Sequence, residues 1–266
     1  MKKLLYIIGL LLLFLFLTGL TQIGGIVLLL SLLISRKIKK KIKFKTSLIF
    51  LCTYLLFTFL VVPFVAPVFG REPIKHSSAI SATNYMTVIL NRNYVRPEMN
   101  EFLNQTAERL EDTKIEIKYL DANFPFIDKF PLPPHLSHND GKKLDISLIY
   151  KNKEGQITNL KKSMSGYGVF EGPTKNEKNQ IKICKKRGYY QYDFSKFMRF
   201  GNINNELTFS EKGTKELIDA ILKNNKLGKL LIEPHLKQRL NLRNSKVRYQ
   251  GCQSVRHDDH IHIQLK

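Results

Sequence analysis

Acidic residues are missing from the first 70 positions of this 266-residue chain, although those positions contain nine of its 43 lysines and arginines. The remaining 196 residues contain 34 basic and all 22 acidic side chains, a net charge of +12 out of the formal +21. An acid-free apolar segment followed by a polar segment of mixed charge excludes both an ordinary cytosolic enzyme and a disordered basic tail.

Other absences restrict which folds and which metal sites the sequence can form. The three cysteines include no CxxC pair, so Cys184 and Cys252 are poor candidates for metal ligands, and Cys52 lies in an apolar run. The sequence alone leaves open whether Cys184 and Cys252 form a disulfide. The sequence has no internal repeat and no regular βαβ rhythm, so its mixture of helix and strand patterns predicts an α+β fold.

Two uncharged runs, residues 4–34 and 46–70, each exceed the roughly 18 residues needed to cross a bilayer. Seven of the ten residues between them, 36–45, are basic, which predicts a cytoplasmic loop. Residues 1–70 are therefore predicted to form an uncleaved anchor in the cytoplasmic membrane, with the rest of the chain on the periplasmic or extracellular side. Polar and glycine residues inside the first run leave open whether it forms one long span or a hairpin of two.

The polar part of the chain is predicted to consist of a tether, residues 71–95, and one domain, residues 96–266. Hydrophobic spacing predicts a helix from Pro97 to residue 112, and Thr208 with Glu211 resembles a capping box for a second helix. The aromatic-rich segment 189–200 is predicted to be a core strand and its flank rather than a ligand platform. Short strands are predicted at residues 115–119, 144–150, 181–184, 230–233 and 261–265.

Three of the seven histidines fall within the last ten residues of the chain. Because side chains alternate along a strand, His260 and His262 are expected to share one face while Ile261 and Ile263 point into the core. The alternative is a solvated polar edge in which neighbouring charges pair with the histidines. Burial of the two isoleucines favours a metal site, because it would hold both imidazoles in one cleft.

A catalytic zinc site has three protein ligands and an open position, so further ligands are needed. A second cluster supplies His138 and Asp145, seven residues apart, with Gly141 allowing the backbone to turn between them. His135 and His235 are interpreted as structural histidines.

The two clusters together resemble the penicillin-insensitive murein endopeptidases, which share a superfamily with lysostaphin, the D-Ala-D-Ala metallopeptidases and hedgehog domains. The family pattern S-H-x-x-G-x-x-x-D is matched at residues 137–145, and its pattern H-D-D-H-x-H is matched at residues 257–262. The resemblance implies a hedgehog/D-Ala-D-Ala-peptidase-like domain with a central antiparallel sheet behind the transmembrane helices.

The resemblance also implies roles for individual residues. His138, Asp145 and His262 would hold a zinc ion, His260 would act as the acid/base histidine, and His257 would lie nearby in the cleft. Asp258 and Asp259 are interpreted as partners that orient the histidine rings, and for Asp259 an ordinary surface charge is an equally weighted alternative.

The implied activity is that of a membrane-anchored, zinc-dependent murein endopeptidase, which hydrolyses an amide bond in the peptide stem or cross-link of peptidoglycan. The charge of +12 suits an anionic envelope polymer, and the predicted location argues against nucleic acid as a partner. The alternatives are a D,D-carboxypeptidase of the same superfamily, a non-catalytic envelope-binding module that retains the fold, and an amidase or esterase acting on a modified envelope polymer.

Overall fold

A computed structural model describes residues 1–40 and 42–266; Lys41, in the predicted cytoplasmic loop, lies outside the described residues. The fold is mixed α+β, as predicted. It divides into two compact units, the first made of Met1–Ile74, Met86–Pro97 and Asn123–Gly141, and the second of Lys75–Tyr85, Glu98–Ala122 and Lys142–Lys266. The apolar N-terminal residues therefore share a unit with two segments that come later in the chain.

The α-helices are, in chain order, α1 (Lys2–Thr21), α2 (Gly24–Lys37), α3 (Lys45–Leu56), α4 (Val62–Val65), α5 (Met86–Ile89), α6 (Pro97–Glu108), α7 (Gln180–Lys186), α8 (Glu211–Leu222) and α9 (Pro234–Arg239). A π-helical segment, Phe57–Val61, joins α3 to α4, and 3₁₀ segments follow at Ala66–Phe69 and Tyr190–Met198.

The strands are β1 (Glu72–Pro73), β2 (Ile80–Ala82), β3 (Tyr94–Val95), β4 (Ile117–Tyr119), β5 (Lys143–Ser147), β6 (Tyr150–Lys151), β7 (Ile157–Thr158), β8 (Thr208–Phe209), β9 (Leu227–Leu231), β10 (Val247–Arg248) and β11 (His260–Leu265).

Two helices of the first unit, Lys2–Thr21 and Lys45–Phe69, are long and apolar enough to span a membrane. The first apolar run of the sequence is broken, because α1 ends at Thr21, the next residue Gln22 has a φ of 66°, and α2 begins at Gly24. A side chain at Gly25 would clash with Thr18 and with the ring of Phe14, so glycine permits α2 to pack closely on α1.

The core of the first unit combines residues from the apolar helices with residues from the later segments. Tyr54 Oη donates a hydrogen bond to Ile89 O at 2.7 Å, and Gln22 Oε1 accepts one from the backbone N–H of Phe126 at 2.9 Å. Polar side chains of the apolar N-terminal residues thus bond to both later segments. The buried residues of this core are Ile23, Val27, Tyr54, Val62, Ala66 and Tyr94.

Residues 71–95, predicted to be a tether, contain β1, β2, α5 and β3. Arg71, at the start of this stretch, is fully buried and donates hydrogen bonds to Phe124 O and to the carboxylate of Asp128. In the second unit, β2 pairs with β4, and Ile80 of β2 is buried. This stretch therefore contributes packed elements to both units.

A six-stranded sheet with the order β10-β9-β11-β5-β4-β2 organises the second unit. Its four middle strands pair antiparallel, whereas β10 and β2 pair parallel at the two edges. β11 lies between β5 and β9, and its buried isoleucines, Ile261 and Ile263, alternate with histidines. A smaller sheet has the order β7-β6-β8.

The predicted strand at residues 181–184 is wrong, because this segment belongs to helix α7. The side chain of Asn179 caps the helix by accepting a hydrogen bond from the N–H of Lys182 at 2.8 Å. Ile181 and Cys184 are buried at helical spacing rather than alternating across a strand. Cys184 forms a disulfide with Cys252, which settles the pairing that the sequence left open.

The predicted capping residue of α8 is also wrong. Ser210, not Thr208, caps this helix, and its side chain accepts a hydrogen bond from the N–H of Gly213 at 3.1 Å. Thr208 lies in β8, two residues before the backbone turns into the helix. Apart from the aromatic segment described next, the other predicted helices and strands are present with shifted ends.

The aromatic segment is not the predicted core strand. Tyr192 is buried, but the 3₁₀ geometry of Tyr190–Met198 places residues three apart on the same side. Phe194 and Phe197, three residues apart in this segment, are 43% and 68% exposed, and Phe200, which follows the segment with a φ of 51°, is 70% exposed. Short helical turns, interrupted by non-helical backbone at Asp193, therefore separate the buried Tyr192 from the exposed phenylalanines.

Candidate metal centre

The pairing of β11 with β5 brings two predicted ligands together. His262 lies opposite Asp145 in the antiparallel register, so both side chains leave the same face of the sheet. His262 Nδ1 is 2.8 Å from Asp145 Oδ1, and both residues are buried. The predicted alternation is confirmed, since Ile261 and Ile263 are buried on the other face.

His260 shares this face and has two carboxylate neighbours. Its Nδ1 lies 2.6 Å from Asp259 Oδ1, and its Nε2 lies 3.7 Å from Asp145 Oδ1. Burial on its own lowers the pKa of His260, but the charges of Asp145 and Asp259 raise it to about 9. Asp259 is buried and contacts this ring, so it is not the ordinary surface charge that was the alternative to an orienting role.

His257 completes a cluster of three imidazoles. Its ring centroid lies 5.0 Å from that of His260 and 5.8 Å from that of His262. The backbone N–H of His257 donates to Glu233 Oε1 at 3.0 Å. Residues 257–262 are all buried, which excludes the alternative of a solvated edge.

Sequence reasoning missed Tyr167, which contacts the cluster from a loop. Tyr167 Oη donates to Asp145 Oδ2 at 2.8 Å, and its ring packs edge-on against His260 with centroids 5.1 Å apart. The next residue, Gly168, donates its N–H to Asp259 Oδ2 at 2.6 Å. Gly168 has a φ of 79°, and a side chain there would clash with Ser195 O, so only glycine fits. The Gly-Tyr-Gly triplet at residues 166–168 is the sequence signal that could have pointed to this loop.

Glu233 is a second buried residue that sequence reasoning missed. Both of its carboxylate oxygens lie 2.7 Å from Tyr192 Oη, and Oε1 also accepts from the backbone of His257. Burial, followed by the charge of Asp258, raises the pKa of Glu233. The carboxylate therefore fixes the backbone from which the imidazole of His257 extends.

Asp258 does not orient a ring of the cluster. It forms a bidentate ion pair with Arg256, in which Arg256 Nε donates to Asp258 Oδ1 at 2.6 Å. His235 Nε2 lies 3.4 Å from Asp258 Oδ2 and 2.8 Å from Glu171 O, consistent with a structural role. Burial raises the pKa of Asp258, but His235 and Arg256 outweigh burial and hold it below its ordinary value.

The other predicted ligand, His138, lies in an irregular segment of the first unit. Its backbone N–H donates to His135 O at 2.9 Å, and the two rings lie 5.5 Å apart. The predicted turn at Gly141 is confirmed by its φ of 79°. His135, His138 and Asp145 each offer a ligand atom within 4.8 Å of the other two. This buried group could hold a metal ion, and it includes His135, which the sequence had suggested was structural.

No protein-family model matches the chain, and no curated protein matches it significantly. The case for a metal therefore depends on the chemistry of the donor atoms in this buried group. Imidazole nitrogens and one carboxylate oxygen are ligand types that zinc accepts, and the carboxylate has an orienting partner in Tyr167.

Proposed function

We propose that the protein is a membrane-anchored, zinc-dependent peptidoglycan hydrolase that cleaves an amide bond in the peptide stem or cross-link. The observation that carries this proposal is the convergence of His260 Nε2 and His262 Nδ1 on Asp145 Oδ1. A carboxylate that belongs to a possible metal-binding group thus has two further imidazoles beside it.

In the proposed site His138, Asp145 and His262 hold the metal, and His135 is a further candidate ligand. Asp145 Oδ1 and His262 Nδ1 are close enough to share a proton, or to ligate one ion once that proton is lost. When bound, zinc supplies a Lewis acid that polarises the amide carbonyl and lowers the pKa of water.

His260 is the proposed acid/base residue. Asp259 holds its Nδ1, so its Nε2 points to the side where Asp145 lies. From there Nε2 can accept a proton from the attacking water and return it to the departing amine, or donate to the developing oxyanion. Tyr167 restrains the ring of His260 by edge-on packing, and His257 lies beside it in the cleft.

Two observations support a location in the cytoplasmic membrane with the histidine cluster on its outer side. Two helices are long and apolar enough to cross a bilayer, and a basic segment separates them in the sequence. The Cys184–Cys252 disulfide suits an oxidising compartment. The antiparallel middle of the six-stranded sheet is compatible with the hedgehog/D-Ala-D-Ala-peptidase-like domain that the motifs imply.

The test uses the full chain in detergent, loaded with zinc and mixed with cross-linked sacculi. We expect monomeric muropeptides to appear, a chelator to stop their release, and added zinc to restore it. His260→Ala should abolish turnover while zinc stays bound, because His260 is not a proposed ligand. Loss of only a terminal D-Ala would instead indicate a carboxypeptidase, and sacculus binding without turnover would indicate a non-catalytic module.

A further inference from the structure

A cavity of about 760 Å³ in the second unit combines apolar and cationic walls. Phe170, Pro173 and Ile181 contribute apolar surface to it, and its cationic side chains include Lys182, Lys186 and Arg256. Among the residues that the structure describes, no acidic one lines this cavity, which we name the basic pocket. It is therefore suited to a ligand with a negative charge and short apolar groups.

The basic pocket is built from the same two segments that position the histidine cluster. Phe170 follows Gly168, whose N–H holds Asp259, and Arg256 directly precedes His257. The three residues Gly168–Phe170 span at most about 11 Å even when fully extended, and Arg256 is adjacent to His257. The lining residues Phe170 and Arg256 therefore lie within the length of a few substrate residues from the cluster. A peptide bound at His260 therefore has the length to reach the basic pocket.

The cations of the basic pocket differ in how far they are already neutralised. Arg256 is paired with Asp258 and stacks over the Phe170 ring, with its guanidinium carbon 3.8 Å from the ring centroid. Within residues 1–40 and 42–266, neither Lys182 nor Lys186 forms an ion pair. Both lysines are exposed on α7, so their charge is available to a ligand.

Two restraints hold the walls of the pocket. The Cys184–Cys252 disulfide joins α7 to the segment that leads to β11. Arg239 donates to both carboxylate oxygens of Glu177 and to Gly172 O, which fixes the loop that carries Pro173. A pocket held in this way loses little conformational entropy on binding.

We infer that the basic pocket binds a free carboxylate of the peptidoglycan stem peptide, with Lys182 and Lys186 as its recognition residues. The inference rests on the proposed function and deepens it, because it names the residues that would bind the negative charge of the substrate. Stem peptides combine free carboxylates with the short side chain of alanine, which matches the cations and the apolar surface of the pocket. Such a subsite favours peptides with a free carboxylate over the same peptides after amidation.

The experiment compares the full-length protein with the double variant Lys182→Gln/Lys186→Gln. A matched control, Lys212→Gln/Lys223→Gln, removes two lysines that are also exposed but lie away from the basic pocket, one on α8 and one directly after it. The substrates are one cross-linked muropeptide with free carboxylates and the same compound with amidated carboxylates. We expect the double variant to raise KM for the free acid about fivefold at unchanged kcat, with little effect on the amide and none from the control.

Direct binding separates this inference from the proposed function. A fluorescent, uncross-linked stem peptide should bind the zinc-loaded chain more weakly after the Lys182→Gln/Lys186→Gln change, whether or not the chain hydrolyses cross-links. Carboxylate-dependent binding without turnover would support the pocket and refute the hydrolase. Turnover with the same KM for the unchanged protein and the double variant, on both substrates, would refute the carboxylate subsite alone. Binding of poly(glycerol phosphate) in preference to the stem peptide would also refute it.

Discussion

The two histidine-bearing regions of the molecule are held in place by different kinds of interaction. His260 and His262 lie on β11, whose backbone pairs with β5 on one side and β9 on the other. His135 and His138 lie in a segment without regular helix or strand, in the first unit. The positions of the first pair follow from strand register, whereas those of the second pair depend on side chains from elsewhere.

Two arginines hold the irregular segment that contains His135 and His138. Arg71 donates to Phe124 O and Asp128, and Arg96 donates to the other oxygen of Asp128 at 2.8 Å. Arg96 also bonds Asp140 O through its Nε and Gly141 O through its backbone N–H. A guanidinium has several donors in a fixed plane, so one side chain can fasten several carbonyls of a loop. The comparison predicts that strand and loop respond differently to mutation.

The largest effect is expected from removing the strand ligand. His262→Ala takes away a nitrogen next to Asp145, so zinc affinity should fall by more than the roughly 100-fold that loss of an outer partner costs, and hydrolysis of sacculi should stop. Zinc content by elemental mass spectrometry and muropeptide release measure the two losses. Gln264→Ala, two residues on along the same face, should change neither. Full zinc content in His262→Ala would remove His262 from the proposed ligand set.

Arg71→Met tests the loop side of the comparison. Loss of the buried donors should reduce the free energy of unfolding by about 2 kcal/mol, since Phe124 O and one oxygen of Asp128 each lose the hydrogen bond from Arg71. Hydrogen exchange should speed up for residues 133–141 and stay unchanged for β11. Arg109→Met, at an exposed position just after α6, is the matched control. Equal acceleration in both regions would mean that strand and loop unfold together.

The same contrast explains which parts of the molecule the sequence could predict. Alternating isoleucines and histidines predicted β11 and the shared face of His260 and His262, because strand periodicity is a local property. Tyr167 and Asp145 are 22 residues apart, and Gly168 and Asp259 are 91 apart. No local pattern specifies such pairs, so the residues that orient the cluster appeared only in the folded chain.

Short apolar segments were the other source of error. The run at residues 181–184 has too few residues to distinguish strand alternation from helical spacing, and the cap at Asn179 decides for a helix. In the aromatic segment the 3₁₀ pitch exposes Phe194 and Phe197, although the composition favours a core strand. Tertiary contacts and caps thus override local preference where the apolar run is short.

A smaller effect is expected from the carboxylate that orients His260. Asp259→Asn keeps an oxygen for the N–H of Gly168 but weakens the charged contact with His260 Nδ1. We expect kcat to fall by about tenfold with zinc content unchanged, as for other partners that orient an active-site histidine. Asp219→Asn, at a half-exposed position of α8, controls for the lost charge. A loss of zinc in Asp259→Asn would show that the carboxylate supports metal binding rather than proton transfer.

The smallest effect is expected at a second arginine-held loop. The carboxylate of Glu177 accepts hydrogen bonds from Arg239 and from the N–H of Thr174. The hydrogen bond from Arg239 is the main cause that lowers the pKa of this carboxyl from 4.5 to about 2. Because the folded state favours the ionised form, its contribution to stability is complete above pH 4.5 and is lost as the pH falls towards 2. Glu177→Gln should therefore cost about 1 kcal/mol at pH 6 and progressively less below pH 4. Urea unfolding of both proteins at pH 6 and pH 3 measures the difference, with the exposed Glu154→Gln as control. A difference that does not shrink at low pH would mean that packing, rather than the ion pair, holds this loop.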